Sequence, residues 1–190
     1  MAQSQTLIQA SFGAQSILGK ALVVLGGSLM IALGAQVSVP MLPVPMTLQT
    51  LAILLVGLTA GSRLGAAAVI AYLVEGAMGL PVFSGGSAGL ATLFGPTGGF
   101  LFGFIGLAWG AGKLAELGIA RGFVGTFAGA ALVSALLYVP GVVWLAAATP
   151  LDLSGALTHG MMPFLAGDAV KAAIAALSVT GAWAALKSRG

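Results

Sequence analysis

Residues 21–39 read Ala21-Leu22-Val23-Val24-Leu25-Gly26-Gly27-Ser28-Leu29-Met30-Ile31-Ala32-Leu33-Gly34-Ala35-Gln36-Val37-Ser38-Val39, a run of 19 residues without a charge, closed by Pro40. About 20 such residues, wound as a helix, cross the hydrocarbon of a bilayer. The run therefore predicts a membrane span that stops at a residue unable to continue a helix. The rest of the chain agrees. Of its 190 residues, 59% are hydrophobic and 6% charged, and the mean hydropathy is +1.11. A soluble domain carries about 25% charged residues. Seven Lys and Arg with four Asp and Glu cannot clothe a water-facing surface of this size. An ordinary soluble globule and a disordered chain are both excluded. The pI of 9.7 reflects a net charge of only +3, with no basic stripe to neutralise phosphates, so a nucleic-acid partner is not expected.

Five further spans follow the first. The second begins near Thr47 and fades at Gly61, Ser62 and Arg63. The third runs from Leu64 to Met78. The fourth follows Gly98 and Gly99 and ends between Lys113 and Leu117. The fifth covers Gly122–Ala148, stopped by Thr149 and Pro150, and the sixth covers Met161–Leu186. The expectation is an all-α integral membrane protein with six transmembrane helices in a single domain over residues 20–190. Residues 1–19 read as a polar tail with a short surface helix around Leu7–Phe12. This tail lacks the charged start and apolar run of a signal peptide. Six spans place both termini on one side, together with Lys20, Arg63, Lys113, Arg121, Lys187 and Arg189. The opposite loops, Pro40–Met46, Gly76–Gly98 and Thr149–Gly160, hold no Lys or Arg, and Lys171 falls inside the sixth span. An excess of Lys and Arg marks the cytoplasmic side, so both termini are expected there. Five or seven spans would scramble this segregation.

Much chemistry is missing. The chain has no Cys and one His, His159, which leaves no disulfide, thiolate metal site or His-rich metal site. Gly95-Pro96-Thr97-Gly98-Gly99 resembles a phosphate loop superficially, but no Lys-Ser/Thr follows it. The chain cannot use ATP itself, so uphill transport would need another protein or an ion gradient. A Ser–His–Asp set would have to use His159, and no nucleophile elbow is present, so an enzyme is not expected. Neither a metal nor a cofactor is implied.

The sharpest feature is the pair Asp168 and Lys171, at i and i+3 on one face of the sixth helix and near its outer end. Charges inside a span are costly, so they face the interior or a cavity. They bind a ligand that both donates and accepts hydrogen bonds, such as a cyclic urea, or they form an ion pair that only packs the bundle. The long third loop, Gly76–Gly98, is Gly-rich and uncharged. Irregular backbone at that depth survives where protein buries it or it lines a cavity. It is expected to fold over the outer end of the bundle and offer backbone groups to a ligand, or to serve as a structural plug. Pro40, Pro43 and Pro45 make the first loop stiff and extended. Glu75, three residues after Tyr72, contacts ligand or sits at the wet interface. Gln36 and Gln49 read as bundle hydrogen bonds or ligand contacts. Phe83 and Tyr72 wall an apolar ligand or pack ordinarily. Trp144 reads as an interfacial belt residue, Lys113 and Glu116 as a structural pair, and His159 as a solvated loop residue. Small residues four apart, at Ser28/Ala32, Gly99/Gly103, Gly106/Gly110 and Gly125/Gly129, allow close helix packing within the bundle or docking of a separate subunit.

Three ordered motifs, Val44-Pro45-Met46-Thr47-Leu48-Gln49-Thr50-Leu51, Tyr72-Leu73 through Gly76, Gly79-Leu80-Pro81-Val82-Phe83 and Gly85-Gly86, then Gly95-Pro96-Thr97-Gly98-Gly99, together resemble the BioY family of biotin transporters. Asp168 and Lys171 fit the same pattern, and the resemblance spans roughly residues 21–186. It implies the substrate-capture (S) subunit of an energy-coupling factor (ECF) importer in a bacterial cytoplasmic membrane, multi-pass and in contact with lipid. The implied partners are biotin, a transmembrane coupling subunit and two ATP-binding subunits. By that analogy Asp168 and Lys171 anchor biotin, with Tyr72, Phe83, Gly85, Gly86 and Gln49 forming the rest of the pocket. Ser28 and Ala32 correspond to the small pair that docks the coupling subunit, although Ser28 stands where alanine is expected. Phe100 replaces a tyrosine associated with the third motif, and Ser84 stands where alanine is common. The competing readings are the same scaffold serving another vitamin, a non-transport membrane assembly module, and an ion or proton carrier.

Overall fold

A computed structural model of the chain describes residues 5–12 and 16–188. The polar tail's residues 1–4 and 13–15, and Arg189, counted above among the cytoplasmic cations, lie outside the described residues. The short helix α1 covers Leu7–Phe12. Helix α2 spans Ile17–Gln36, so it starts inside the stretch read as tail. Its start is set by a cap rather than by apolarity, since Ser16 accepts from the Gly19 N–H at 3.1 Å. It also ends three residues before Val39. Ser38–Val39 (β1) instead pairs antiparallel with Met46–Thr47 (β2), in the register Ser38 to Thr47 and Val39 to Met46. Apart from this small hairpin, the regular structure of the described residues is helical. The hairpin holds the proline-rich loop against the ends of its flanking helices, with the Leu48 N–H donating to the Gly34 carbonyl at 3.1 Å.

Helices α3 (Gln49–Ala60) and α4 (Ser62–Ala77) are joined by Gly61 alone. Gly61 has φ of 90°, a conformation that favours glycine and reverses the chain in one residue. After α4 the long loop forms a turn at Ser84–Gly86 and a short helix α5 at Leu90–Leu93. Helix α6 covers Gly98–Glu116, and α7 covers Phe123–Ala148 with Pro140 inside it. The segment Thr149–Gly160, read above as a loop, contains helix α8 at Leu153–Gly160. Asp152 caps α8 by accepting from the Gly155 N–H at 2.7 Å. Helix α9 then begins at Leu165 rather than Met161 and runs to Lys187, which puts Asp168 in its first turn.

Four stretches, Ile17–Gln36, Gly98–Glu116, Phe123–Ala148 and the α8–α9 stretch Leu153–Lys187, are long and apolar enough to cross a membrane. Helix α3 is equally apolar but shorter. The molecule is apolar inside and outside. Leu22, Leu25, Leu29 and Leu33 form an exposed stripe on α2, and Leu132, Leu136, Val139 and Val143 form another on α7. The interior is one cluster that includes Ile53, Leu54, Leu58, Val69, Leu107 and Leu145. Helix α6 packs against α3, α4 and α7, while α9 packs against α3 and α7. Gly112 permits the tightest of these approaches, because a Cβ there would overlap the backbone of Gly61 and Ser62. The N-terminal ends of α3, α6 and α9 thus meet at one end of the bundle, beside the hairpin and the long loop.

Candidate ligand-binding cavity

At that end lies a cavity of about 310 Å³. Drug-sized ligands occupy pockets of about 300–1,000 Å³ lined mainly by apolar groups. The apolar walls are Pro43, Val44 and Pro45 from the hairpin, Phe100, Leu101 and Phe104 from α6, Leu137 from α7, and Phe164. The long loop lines the cavity with Phe83, Ser84, Ser87, Ala91 and Thr92, followed by Gly95, Pro96 and Thr97.

Asp168 and Lys171 face into this space and are nearly buried, at 8% and 6% exposure. They meet each other, with the Lys171 ammonium 2.9 Å from Asp168 Oδ1. Two more donors reach the same carboxylate from other helices. Tyr138 on α7 donates its hydroxyl to Oδ2 at 2.5 Å, and Thr50 on α3 donates to Oδ1 at 3.3 Å. A carboxylate offers about four acceptor positions, so this one keeps room for a further donor. Lys171 uses one of its three N–H groups here and keeps two. The pair is therefore satisfied without being saturated. It presents an acceptor and a donor side by side to the cavity.

Gln49, at the start of α3, is fixed on both sides. Its carbonyl accepts from Thr47 Oγ1 at 2.8 Å, and its amide nitrogen donates to the Tyr72 hydroxyl at 2.7 Å. One amide N–H of Gln49 remains for the cavity it lines. Tyr72 is fully buried and stands behind this wall, not on it. It supports the wall through Gln49 and through an edge-on contact with the Phe83 ring, 5.4 Å between centroids. Phe83 is seated by a missing side chain, since a Cβ at Gly76 would run into its ring. Gly85 and Gly86 do not line the cavity. Both have positive φ, 66° and 71°, and form the turn that brings Ser84 and Ser87 to its rim. The turn is closed by the Phe83 N–H donating to the Ser87 carbonyl at 3.1 Å.

The remaining sequence candidates lie elsewhere. Gln36, at the end of α2, donates to the carbonyls of Phe83 at 3.1 Å and Val82 at 3.4 Å, tethering the long loop. Ser28 and Ala32 face inward. Both are buried, and the Ser28 hydroxyl donates to the Glu75 carboxylate. Glu75 is therefore engaged by α2 and does not line the cavity. Trp144 donates its indole N–H to the Gly95 carbonyl at 2.9 Å and so pins the end of the long loop. His159 lies exposed on α8. Lys113 and Glu116 form an ion pair at 2.8 Å, at the far end of α6.

Sequence reasoning did not single out Tyr138 or Thr50. A signal existed for the first. The chain has two tyrosines, Tyr72 and Tyr138, each in an apolar helix where its hydroxyl needs a partner.

Known proteins share both the sequence and the fold. Residues 4–188 match the BioY family. Biotin transporter BioY of Rhizobium etli is 39% identical over 165 residues, covering 82% of this chain and 88% of that protein. Biotin transporter BioY of Thermotoga maritima is 39% identical over 148 residues, covering 78% of this chain and 86% of that protein. The fold matches the crystal structure of the S-component for biotin from an ECF-type ABC transporter with a TM-score of 0.79 and 25% identity, over 88% of this chain and 93% of that one.

Proposed function

The chain belongs to the BioY family, and from that premise we infer that it captures biotin for uptake as the S component of an ECF-type importer. It is a multi-pass membrane protein and a transporter component, not an enzyme. The observation that carries this reading at the level of residues is the unsaturated Asp168–Lys171 pair at the wall of an apolar cavity.

Biotin has an apolar bicycle and chain, a ureido group with two N–H donors and a carbonyl, and a carboxylate. Because Asp168 and Lys171 are bonded to each other, they meet the same end of the ligand. A ureido group offers a donor to the carboxylate and an acceptor to the ammonium. A ligand carboxylate would offer acceptors only and would bring a second anion against Asp168. The ureido end therefore belongs beside this pair. The apolar body then lies along Phe100, Leu101 and Phe104, and the acid reaches toward the hydroxyls of the loop. Gln49 and Phe83 wall the site. Tyr72, Gly85 and Gly86 shape it from behind.

In this reading the chain crosses a cell membrane six times, with both termini cytoplasmic and the cavity at the outer face. A transmembrane coupling subunit and two ATP-binding subunits supply the energy that the chain has no motif to harvest. Docking through Ser28 and Ala32 would require α2 to part from its neighbours, since both residues are buried and Ser28 is bonded to Glu75 on α4.

Isothermal titration of the purified protein with biotin and with biotin methyl ester tests the arrangement. Asp168→Asn is expected to weaken both ligands equally, because the ester alters only the distant end. An Asp168→Asn effect that differs between biotin and its ester, in either direction, would reverse the orientation. Binding of a different vitamin in preference to biotin would overturn the assignment.

A further inference from the structure

The opposite end of the bundle holds a second cavity of about 500 Å³. Elements from four parts of the chain converge on it: the segment Gln5–Gln9 at α1, Lys20 on α2, Ala60 to Leu64 at the α3–α4 turn, and the last turn of α6. We propose that this cavity binds a phosphate group, presented by an anionic phospholipid headgroup or as free phosphate.

The charge pattern carries the proposal. Lys20, Arg63 and Lys113 line the cavity with one carboxylate, Glu116. That carboxylate is already occupied on both oxygens. Oε1 accepts from the Ser62 backbone N–H at 2.8 Å and from the Ser62 hydroxyl at 2.7 Å, while Oε2 accepts from Lys113 at 2.8 Å. Lys20 and Arg63 form no ion pair among the described residues. The cavity therefore keeps an excess of positive charge, three cations against one carboxylate that is already bonded to Lys113 and Ser62. A guanidinium presents a planar fork of N–H donors that matches two oxygens of a phosphate. Gln9 is also oriented for this work. Its side-chain carbonyl accepts from the Thr6 N–H at 3.0 Å, which leaves its NH₂ free to donate. Lys20, Arg63 and the Gln9 NH₂ all offer donors, and a phosphodiester offers only acceptors.

The position suits a headgroup. Helices α3 and α6 run from the biotin cavity to this one, so the two cavities lie at opposite ends of the apolar belt. Basic pockets at helix ends are where anionic headgroups dock, and each Lys or Arg near such a surface contributes about 1 kcal/mol.

The test uses the full chain purified in a neutral detergent. Retention of short-chain phosphatidylglycerol, phosphatidylcholine and inorganic phosphate is measured by native mass spectrometry and by the shift in thermal midpoint. Phosphatidylglycerol is expected to bind and phosphatidylcholine is not. Arg63→Gln and Lys20→Gln should each weaken that binding about fivefold, while Lys20→Arg retains it. Biotin titration with the same variants reports that they remain folded. Phosphate binding that is equally sensitive to Arg63→Gln, without phosphatidylglycerol binding, assigns the site to a soluble anion. Equal retention of the two lipids, or binding unchanged in both Gln variants, overturns the proposal.

Discussion

Asp168 is where the bundle's polar bonds converge. Its carboxylate is held by Lys171 from its own helix, by Tyr138 from α7 and by Thr50 from α3. Removing one partner of such a group leaves the rest buried and unpaired, which is worse than never having had the group. Asp168→Asn and Lys171→Ala are each expected to weaken biotin binding by about 2–5 kcal/mol in titration calorimetry. Tyr138→Phe keeps the ring and removes one donor, so a smaller loss of about 1–3 kcal/mol is expected. An unchanged affinity in Tyr138→Phe would show that the hydroxyl does not tune the carboxylate that ligand meets. The pairing and its inward placement were legible in the sequence, because two opposite charges one helical turn apart in an apolar run turn away from lipid. Tyr138 and Thr50 were not. A hydroxyl in a membrane helix has the same local signature whether it bonds a neighbour or builds a site, and Thr50 meets Asp168 across 118 residues of chain.

Among the elements, the long loop decides whether the cavity is closed. It buries Phe83 and Leu93 in the core, and elsewhere it is held by tethers at a few points. Gln36 bonds the carbonyls of Val82 and Phe83, the Gly89 N–H donates to the Gly76 carbonyl at 2.7 Å, and Trp144 holds Gly95. Phe83 inserts into a space that exists because residue 76 has no side chain. Gly76→Ala should therefore push Phe83 out, destabilise the protein by about 1–3 kcal/mol and weaken biotin binding. Shortening the ring in Gly76→Ala/Phe83→Leu should recover part of the loss in thermal unfolding, since the two changes share one space. Gln36→Leu removes one tether without touching the cavity wall. Backbone amides of residues 82–89 should then exchange faster with deuterium, and biotin should dissociate faster, while exchange in α6 and α7 stays the same. The loop's lack of charge carries the expectation that it packs against the bundle rather than extending into water. Helix α8 was not readable in the same way. Eight residues behind a single polar cap, Asp152, are too short a stretch to separate a helix from a loop, and missing it shifted the expected start of α9 to Met161.

For the whole molecule, the two cavities mark two chemically different ends, and the absence of cysteine makes that difference measurable. A single cysteine introduced at Ser154, exposed on α8 at the end of the bundle that holds the Asp168 cavity, should react with a membrane-impermeant maleimide in intact cells. One at Ser188, exposed after α9, should react only once the membrane is opened. Labelling of both from the same side would break the six-span arrangement. The same geometry implies that capture and transport are separable. Between the two cavities lie fully buried Leu54, Leu58 and Val69, and the close approach of Gly112 to the α3–α4 turn, so no open path joins them among the described residues. Moving biotin across requires these helices to rearrange, and the chain has no ATP-binding motif to drive that step. Cells that express this chain without coupling and ATP-binding proteins should therefore bind biotin at their surface yet accumulate little of it. Adding those proteins should raise uptake and leave the affinity of the purified chain as it was. Equal accumulation with and without them would mean that the bundle releases biotin inward on its own, with the free energy coming from the biotin gradient or from an ion.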